Sequence, residues 1–366
     1  MARGTVVKRA SGKSRSWYAV YRLPNGKQKW EKAGPTKSEA ERLLAARTEE
    51  LFSGTFRELK QATFAEFAEK WLAEYARPRV KPSTYDGYER YLRSALIPAF
   101  GDYPLVALET GMIQEFIAKL LASGKSPKTA NNFLVPLRKM LSDAVRWGYL
   151  TNNPAADVQR ARVVHKEMKV LTPEQVRRFL AEAEPEYELL YRIAIFCGLR
   201  SGELLALQWG DIDWQRSQLC VNRSVWKKQI TTPKSVRGIR RIDLGPQLLD
   251  ALRAARPSKA RPDDLIFTNR EGTFTCPRNL VQRHFHPTLE RAGLPRVRWH
   301  DLRHTFATLL IASGAHPKLI QYQLGHASIQ TTLDRYGHLL PSMGQHQGAR
   351  LEGMVGDDEQ PGEASA

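Results

Sequence analysis

Cysteine is scarce in this sequence: three residues in 366, Cys197, Cys220 and Cys276, with no C-x-x-C pair. An odd, widely spaced set argues against a disulfide framework or a thiolate metal site, and it fits a reducing compartment. Long apolar runs are missing too. None approaches the roughly 18 residues of a membrane span, and the basic start lacks the apolar stretch of a secretory signal. A cytoplasmic location, associated with the nucleoid and without a membrane partner, is the expectation. Acid is in deficit, with 38 Asp and Glu against 56 Lys and Arg. The resulting formal charge of +18 and pI near 9.9 point to a polyanion as partner, nucleic acid first.

The surplus charge is uneven. Before Thr36 lie Arg3, Lys8, Arg9, Lys13, Arg15, Arg22, Lys27, Lys29 and Lys32 against Glu31 alone. From Leu351 onward the sign reverses, with Glu352, Asp357, Asp358, Glu359, Glu363 and no base. Residues 346–366 are therefore expected to be an acidic, flexible tail.

Periodicity divides the rest. Short β-rich runs (Thr5 to Val7, Trp17 to Tyr21, Gln28 to Trp30) surround the turn Pro24-Asn25-Gly26, predicting a small antiparallel sheet. A capping box at Thr36 and Glu39 then opens a helix with Ala40, Leu43, Leu44 and Leu51 on one face, closing a module over 1–57. A second capping box, Thr63 and Glu66, begins an all-helical domain over 62–158. Its helices are expected near Phe64 to Tyr75, Ser83 to Leu96, Met112 to Leu121 and Asn132 to Trp147, with Pro136 kinking the last. Residues 159–169 read as a linker. Thr172-Pro173-Glu174-Gln175 opens a third domain over 170–345. There, strands at Leu219 to Trp226 and Gly238 to Leu244 flank a hairpin loop holding Lys234. The fold class is multidomain and mainly α with small β-sheets: a sheet-plus-helix module, an all-α domain and an α+β domain.

Five local patterns in the third domain carry chemistry. They are Gly198-Leu199-Arg200-Ser201-Gly202-Glu203, Lys234, His300-Asp301-Leu302-Arg303, Leu324-Gly325-His326 and Tyr336-Gly337-His338. Breaking a phosphodiester without water, metal or ATP requires a nucleophile that stays attached, cations around the phosphoryl oxygens and an acid for the leaving oxygen. A tyrosine phenol forms an ester that a 5′-hydroxyl can reverse. Two guanidiniums, Arg200 and Arg303, match the nonbridging oxygens. His300 and His326 can donate hydrogen bonds or move protons, and Lys234 can protonate the leaving oxygen.

The order Arg, Lys, His-x-x-Arg, Gly-His, Tyr resembles the catalytic domain of the tyrosine recombinases, in particular the three-domain integrases of phages and mobile elements. The resemblance spans Leu171 to Leu340. It implies that Arg200, Lys234, His300, Arg303 and His326 surround a scissile phosphate in double-stranded DNA, that Tyr336 bonds to its 3′ side, and that Glu203 supports the site. No cofactor is implied. It further implies a core-binding domain at 62–158, an arm-binding module at 1–57 and a homo-tetramer on DNA acting through a Holliday junction. Accessory DNA-bending or excisionase proteins are admitted as further partners.

Rival readings stand beside these. Lys227 and Lys228 compete with Lys234, which is preferred because a hairpin turn projects it while the other two sit at the strand end. His300 and His304 have the i, i+4 spacing of a zinc helix, with His284 and His286 as further donors, but Asp301 stands where a zincin has glutamate and Arg303 adds positive charge. No metal is expected, and His304 reads as a structural helix residue. The functional rivals are a topoisomerase IB-like strand-relaxing enzyme and a non-catalytic DNA-binding regulator.

Overall fold

The three capping boxes form as hydrogen bonds. Thr36 and Glu39, Thr63 and Glu66, and Thr172 and Gln175 each exchange side-chain and backbone partners, satisfying amide groups that a helix start leaves open. The computed structural model describes residues 4–11, 14–54, 56, 58–164, 168–231 and 238–339. Lys234 and the acidic 346–366 tail lie outside the described residues. The chain divides into two compact units, Met1–Val164 and His165–Ala366.

The first unit begins with the antiparallel sheet β1 (Thr5–Ser11), β2 (Ser14–Arg22) and β3 (Gln28–Gly34), in that order. Gly26, at φ 81°, makes the β2–β3 turn, a conformation that costs glycine nothing. Helix α1 (Lys37–Phe52) lies on one face of the sheet. There Glu31 accepts hydrogen bonds from Tyr21 at 2.7 Å and from Arg47 of α1 at 2.8 Å. Tyr21 is buried, while Trp17 and Tyr18 are only partly covered.

The helical part holds α2 (Phe64–Trp71), α3 (Pro82–Tyr91), α4 (Thr110–Ala122) and α5 (Pro127–Arg146). Its core gathers Phe64, Phe67, Trp71, Leu92, Leu96 and Leu137. Inside that core the Trp71 indole donates to Asp143 at 2.8 Å, and Lys139 reaches the same carboxylate at 2.7 Å. Such partners are what make a buried carboxylate tolerable.

Two departures from the sequence reading have backbone causes. Helix α5 starts at Pro127, under a Ser126 cap, rather than at Asn132, and it continues through Pro136. Helices α2 and α3 also run on, to Arg79 and Phe100, through π-turns at Leu72–Ala76 and Leu92–Leu96. In each turn an amide bonds five residues back, Arg77 to Leu72 and Ile97 to Leu92, just before Pro78 and Pro98. The widened turn absorbs the amide that proline lacks. Part of the expected linker is fastened to this unit, since Asn131 pairs with both the amide and the carbonyl of Ala161.

The second unit opens with α6 (Pro173–Ala181), α7 (Pro185–Cys197) and the short α8 (Ser201–Leu204). A three-stranded antiparallel sheet follows, in which β5 (Gln218–Val221) lies between β4 (Ile212–Asp213) and β8 (Arg240–Asp243). The expected strand Leu219 to Trp226 is broken in two. At Asn222 and Arg223 both side chains turn to Asp211, and β6 (Ser224–Trp226) pairs instead with β7 (Gln229–Thr231). Helices α9 (Pro246–Ala255), α10 (Pro277–Leu280) and α11 (His286–Arg291) complete the main core with α7. The last three are α12 (Asp301–Ala312), α13 (Pro317–Leu324) and α14 (Ile329–Tyr336). They enclose a separate cluster of Phe306, Ala307, Ile311, Ile320, Leu324 and Tyr336. No helix among the described residues is long and apolar enough to cross a membrane.

Candidate active site

Two glycines organise the cationic side of the site. Helix α7 ends at Gly198 in the left-handed conformation, φ 59° and ψ 31°, and a Cβ there would meet the Phe306 ring at 2.2 Å. Helix α13 ends the same way at Gly325, φ 58°. These C-termini present carbonyls that no helical amide satisfies and that carry the negative end of the helix dipole. Arg303, on α12, donates to the Gly198 carbonyl at 2.7 Å and to the Leu324 carbonyl. Arg200, at the N-cap of α8, donates to the Gly325 carbonyl at 3.2 Å. Two guanidiniums remote in sequence are thereby seated on the end of the same helix, α13.

Glu203 ties a third cation to them. Its carboxylate accepts from Arg200 at 2.7 Å and from the buried Arg240 of β8 at 2.9 Å, while Arg240 also donates to the Gln323 carbonyl at 2.6 Å. Burial pushes the Glu203 carboxyl upward, but Arg240 and Arg200 outweigh it and leave it below the usual carboxylate range. Burial, with Arg200 and Arg240 beside it, draws Arg303 down to about 9, so it stays cationic at neutral pH.

The histidines line the same space. His300 occupies the N-cap position of α12, at the surface, without a side-chain capping bond. Crowding by the surrounding chain, then His304 and Arg303, hold it near 4. His326 follows Gly325, and its Nδ1 lies 2.9 Å from the Thr332 hydroxyl of α14. Burial and the charges of Arg303 and Arg200 hold it near 3. Ser328 caps α14 by accepting from the Gln330 amide, and Tyr336 closes that helix.

The Tyr336 side chain is 1 % exposed. Its hydroxyl lies 2.5 Å from Nδ1 of His304. Burial pushes the phenol up to about 12, against the pull of Arg303 and Arg335.

Arg200, His300, Arg303, His326 and Tyr336 thus come together, whereas Lys234 lies outside the described residues. Lys227 and Lys228 do not end a long strand; they are the two-residue turn between β6 and β7, both left-handed, at φ 48° and 63°. His304, read from sequence as structural, touches the phenol. Arg240 carries no sequence signal, because an arginine on a strand gives no local sign that it will be buried. For His304 a signal existed: it lies next to Arg303, on the helix turn after His300. His284 and His286 are engaged elsewhere, with Glu184 at 3.0 Å and Arg296 at 2.9 Å.

Residues 169–343 match the phage integrase family, and residues 63–121 match the phage integrase N-terminal SAM-like domain. The ICEBs1 integrase of Bacillus subtilis is 29 % identical over 293 residues, covering 75 % of this chain and 79 % of that protein. Tyrosine recombinase XerC of Alcanivorax borkumensis is 31 % identical over 273 residues, covering 71 % and 85 %. Among solved structures, a lambda integrase tetramer bound to a Holliday junction superposes with a TM-score of 0.60 at 20 % identity, covering 93 % of this chain and 95 % of that one.

Proposed function

We propose that this chain, which belongs to the tyrosine recombinase family, uses Tyr336 as the nucleophile that opens a DNA phosphodiester. It is a site-specific recombinase, an enzyme that cleaves and rejoins DNA. The finer reading is an integrase that inserts or excises a mobile element, assembled as a tetramer on two duplexes and working in the cytoplasm at the nucleoid. Its support is the character of the relatives: one is the integrase of ICEBs1, and the lambda integrase structure is a tetramer on a Holliday junction.

One observation carries the catalytic assignment. The Tyr336 phenol is buried on the helix that follows His326, beside the helix that bears Arg303, and both arginines are held by backbone carbonyls, Arg200 by Glu203 as well, before any substrate arrives. In the reading proposed here Arg200 and Arg303 take the nonbridging oxygens, His300 and His326 donate to the phosphoryl group, and Lys234 protonates the 5′-oxygen. Preorganised cations of this kind stabilise charge as it develops and need no metal. The amino-terminal sheet is assigned to a second DNA contact. Its face away from α1 presents Trp30, 45 % exposed, with Arg9 over the ring at 5.7 Å and Tyr18 at its edge. Accessory DNA-bending or excisionase proteins would set the direction of exchange.

The test is a nicked suicide duplex that traps the covalent adduct, with chelator present and the modified residue mapped by mass spectrometry. The expected result is phosphotyrosine at residue 336, and no adduct from Tyr336→Phe despite retained DNA binding. An adduct on any other residue overturns the assignment. Strand relaxation as the main activity is not favoured, since the relatives are integrases and recombinases.

A further inference from the structure

We infer that His304, rather than His300, is the group that takes the phenolic proton as Tyr336 attacks the phosphate. The inference rests on Tyr336 being the nucleophile, and it names a proton acceptor that the His-x-x-Arg pattern does not contain.

The geometry comes first. A phenol becomes an effective nucleophile as its proton leaves, and a general base must stand within hydrogen-bond reach of that proton. Tyr336 is sealed against solvent, packed with Phe306, Ile320 and Leu324, so bulk water is a poor acceptor. His304 Nδ1 is 2.5 Å from the hydroxyl. His300 sits one helix turn earlier, with its ring edge-on to that of His304 at 5.1 Å. The imidazole nearest the proton is therefore His304.

Its surroundings keep it unprotonated and so free to accept, while the same burial and arginines make it a weaker base. Burial, with Arg335, Arg298 and Arg303 nearby, keeps the His304 ring neutral at physiological pH, while Asp301 favours its charged form. A neutral ring offers the Nδ1 lone pair to the phenol, and the hydroxyl donates to it. Asp301, at the start of the same helix, would stabilise the imidazolium that forms. Arg303 and Arg335 favour the ionised phenol, so negative charge develops on the oxygen close to fixed positive charge. A merely packed histidine would need none of this.

The step balances. The bond from Tyr336 Oη to phosphorus forms and the bond from phosphorus to the 5′-oxygen breaks. The Oη proton passes to His304 Nδ1. The departing 5′-oxygen keeps its electron pair and takes a proton from a separate acid, the role proposed for Lys234. Religation runs the same transfers backwards.

The test compares wild type with His304→Asn on two duplexes, one ordinary and one with a 5′-bridging phosphorothiolate, whose sulfur leaves without an acid. Asparagine keeps an acceptor near the Nδ1 position but takes no proton. Adduct formation by His304→Asn should fall by about 100-fold or more on both substrates, within the usual range for a lost general base, with DNA binding unchanged. A wild-type rate overturns the inference, and so does a defect that disappears with the sulfur leaving group, which would assign His304 to the leaving oxygen. Should the variant not fold, wild type on the phosphorothiolate duplex still decides. Adduct formation should slow measurably in D2O, and its absence overturns the proposal. Tyr336→Phe on the same duplexes separates the two readings: an adduct there sinks the nucleophile assignment itself, whatever His304→Asn does.

Discussion

Glu203 and Arg240 face each other at 2.9 Å, each sealed from solvent. The pair stands behind Arg200, which uses the other carboxylate oxygen of Glu203. Desolvating such a pair is expensive, and removing one member leaves the other charge buried and unpaired. Glu203→Ala should destabilise the second unit by about 3 kcal/mol or more, read as a lower denaturant midpoint in urea unfolding of the full chain. An unchanged midpoint would mean that Arg240 finds another partner or that the pair is open to water.

Acid should loosen the same region before it touches the carboxylates. His300, His304 and His326 are held near 4, 4 and 3 in the folded chain, against about 6.5 when unfolded. Because the folded values are depressed, the unfolded chain binds protons first as pH falls. Their contribution to stability is fully present above about pH 6.5 and shrinks as pH drops toward 4. Thermal melting from pH 7.5 to 5 should show a falling midpoint, and His326→Gln should flatten the fall. A midpoint that stays level through pH 5 would contradict neutral imidazoles at the buried His304 and His326.

Gly198 should tolerate no side chain. Its left-handed backbone costs an alanine about 1–2 kcal/mol, and the added Cβ would drive into Phe306. Since the Gly198 carbonyl holds Arg303, Gly198→Ala should lower both the melting temperature and the rate of adduct formation. Equal activity in a less stable variant would detach that carbonyl from the function of Arg303.

Two of the three candidate lysines share one tight turn. Lys227 and Lys228 occupy a two-residue turn with left-handed backbone at both positions, where Asn-Gly is the favoured pair. The double substitution Lys227→Asn, Lys228→Gly should stabilise the hairpin by about 1 kcal/mol and leave adduct formation intact. Lys234→Ala should slow cleavage of an ordinary duplex, with recovery on a 5′-bridging phosphorothiolate. Loss of cleavage in the turn variant would move the acid to one of those two residues.

Local patterns were the legible part. The capping boxes and the Pro24-Asn25-Gly26 turn each depend on residues a few positions apart, and each stands where its spacing predicts. The π-turns before Pro78 and Pro98 were not legible, because an uninterrupted apolar pattern looks the same with or without an extra residue in one turn. Nor was the break at Asn222 and Arg223, which depends on Asp211, a residue outside that strand.

What the amino-acid order determined alone was most of the elements, the caps that open several of them and the order of the candidate site residues along the last half of the chain. Spacing and side-chain type suffice for that, because caps, turns and amphipathic faces are short-range. Only the tertiary structure decided which partner each polar group would meet: Arg303 the carbonyl of Gly198, Arg240 the carboxylate of Glu203, and the Tyr336 phenol the imidazole of His304. Those pairings join residues from 32 to 105 positions apart along the chain. They exist because buried polar groups must be matched inside a packed interior, where the fold and not the sequence interval sets the neighbours.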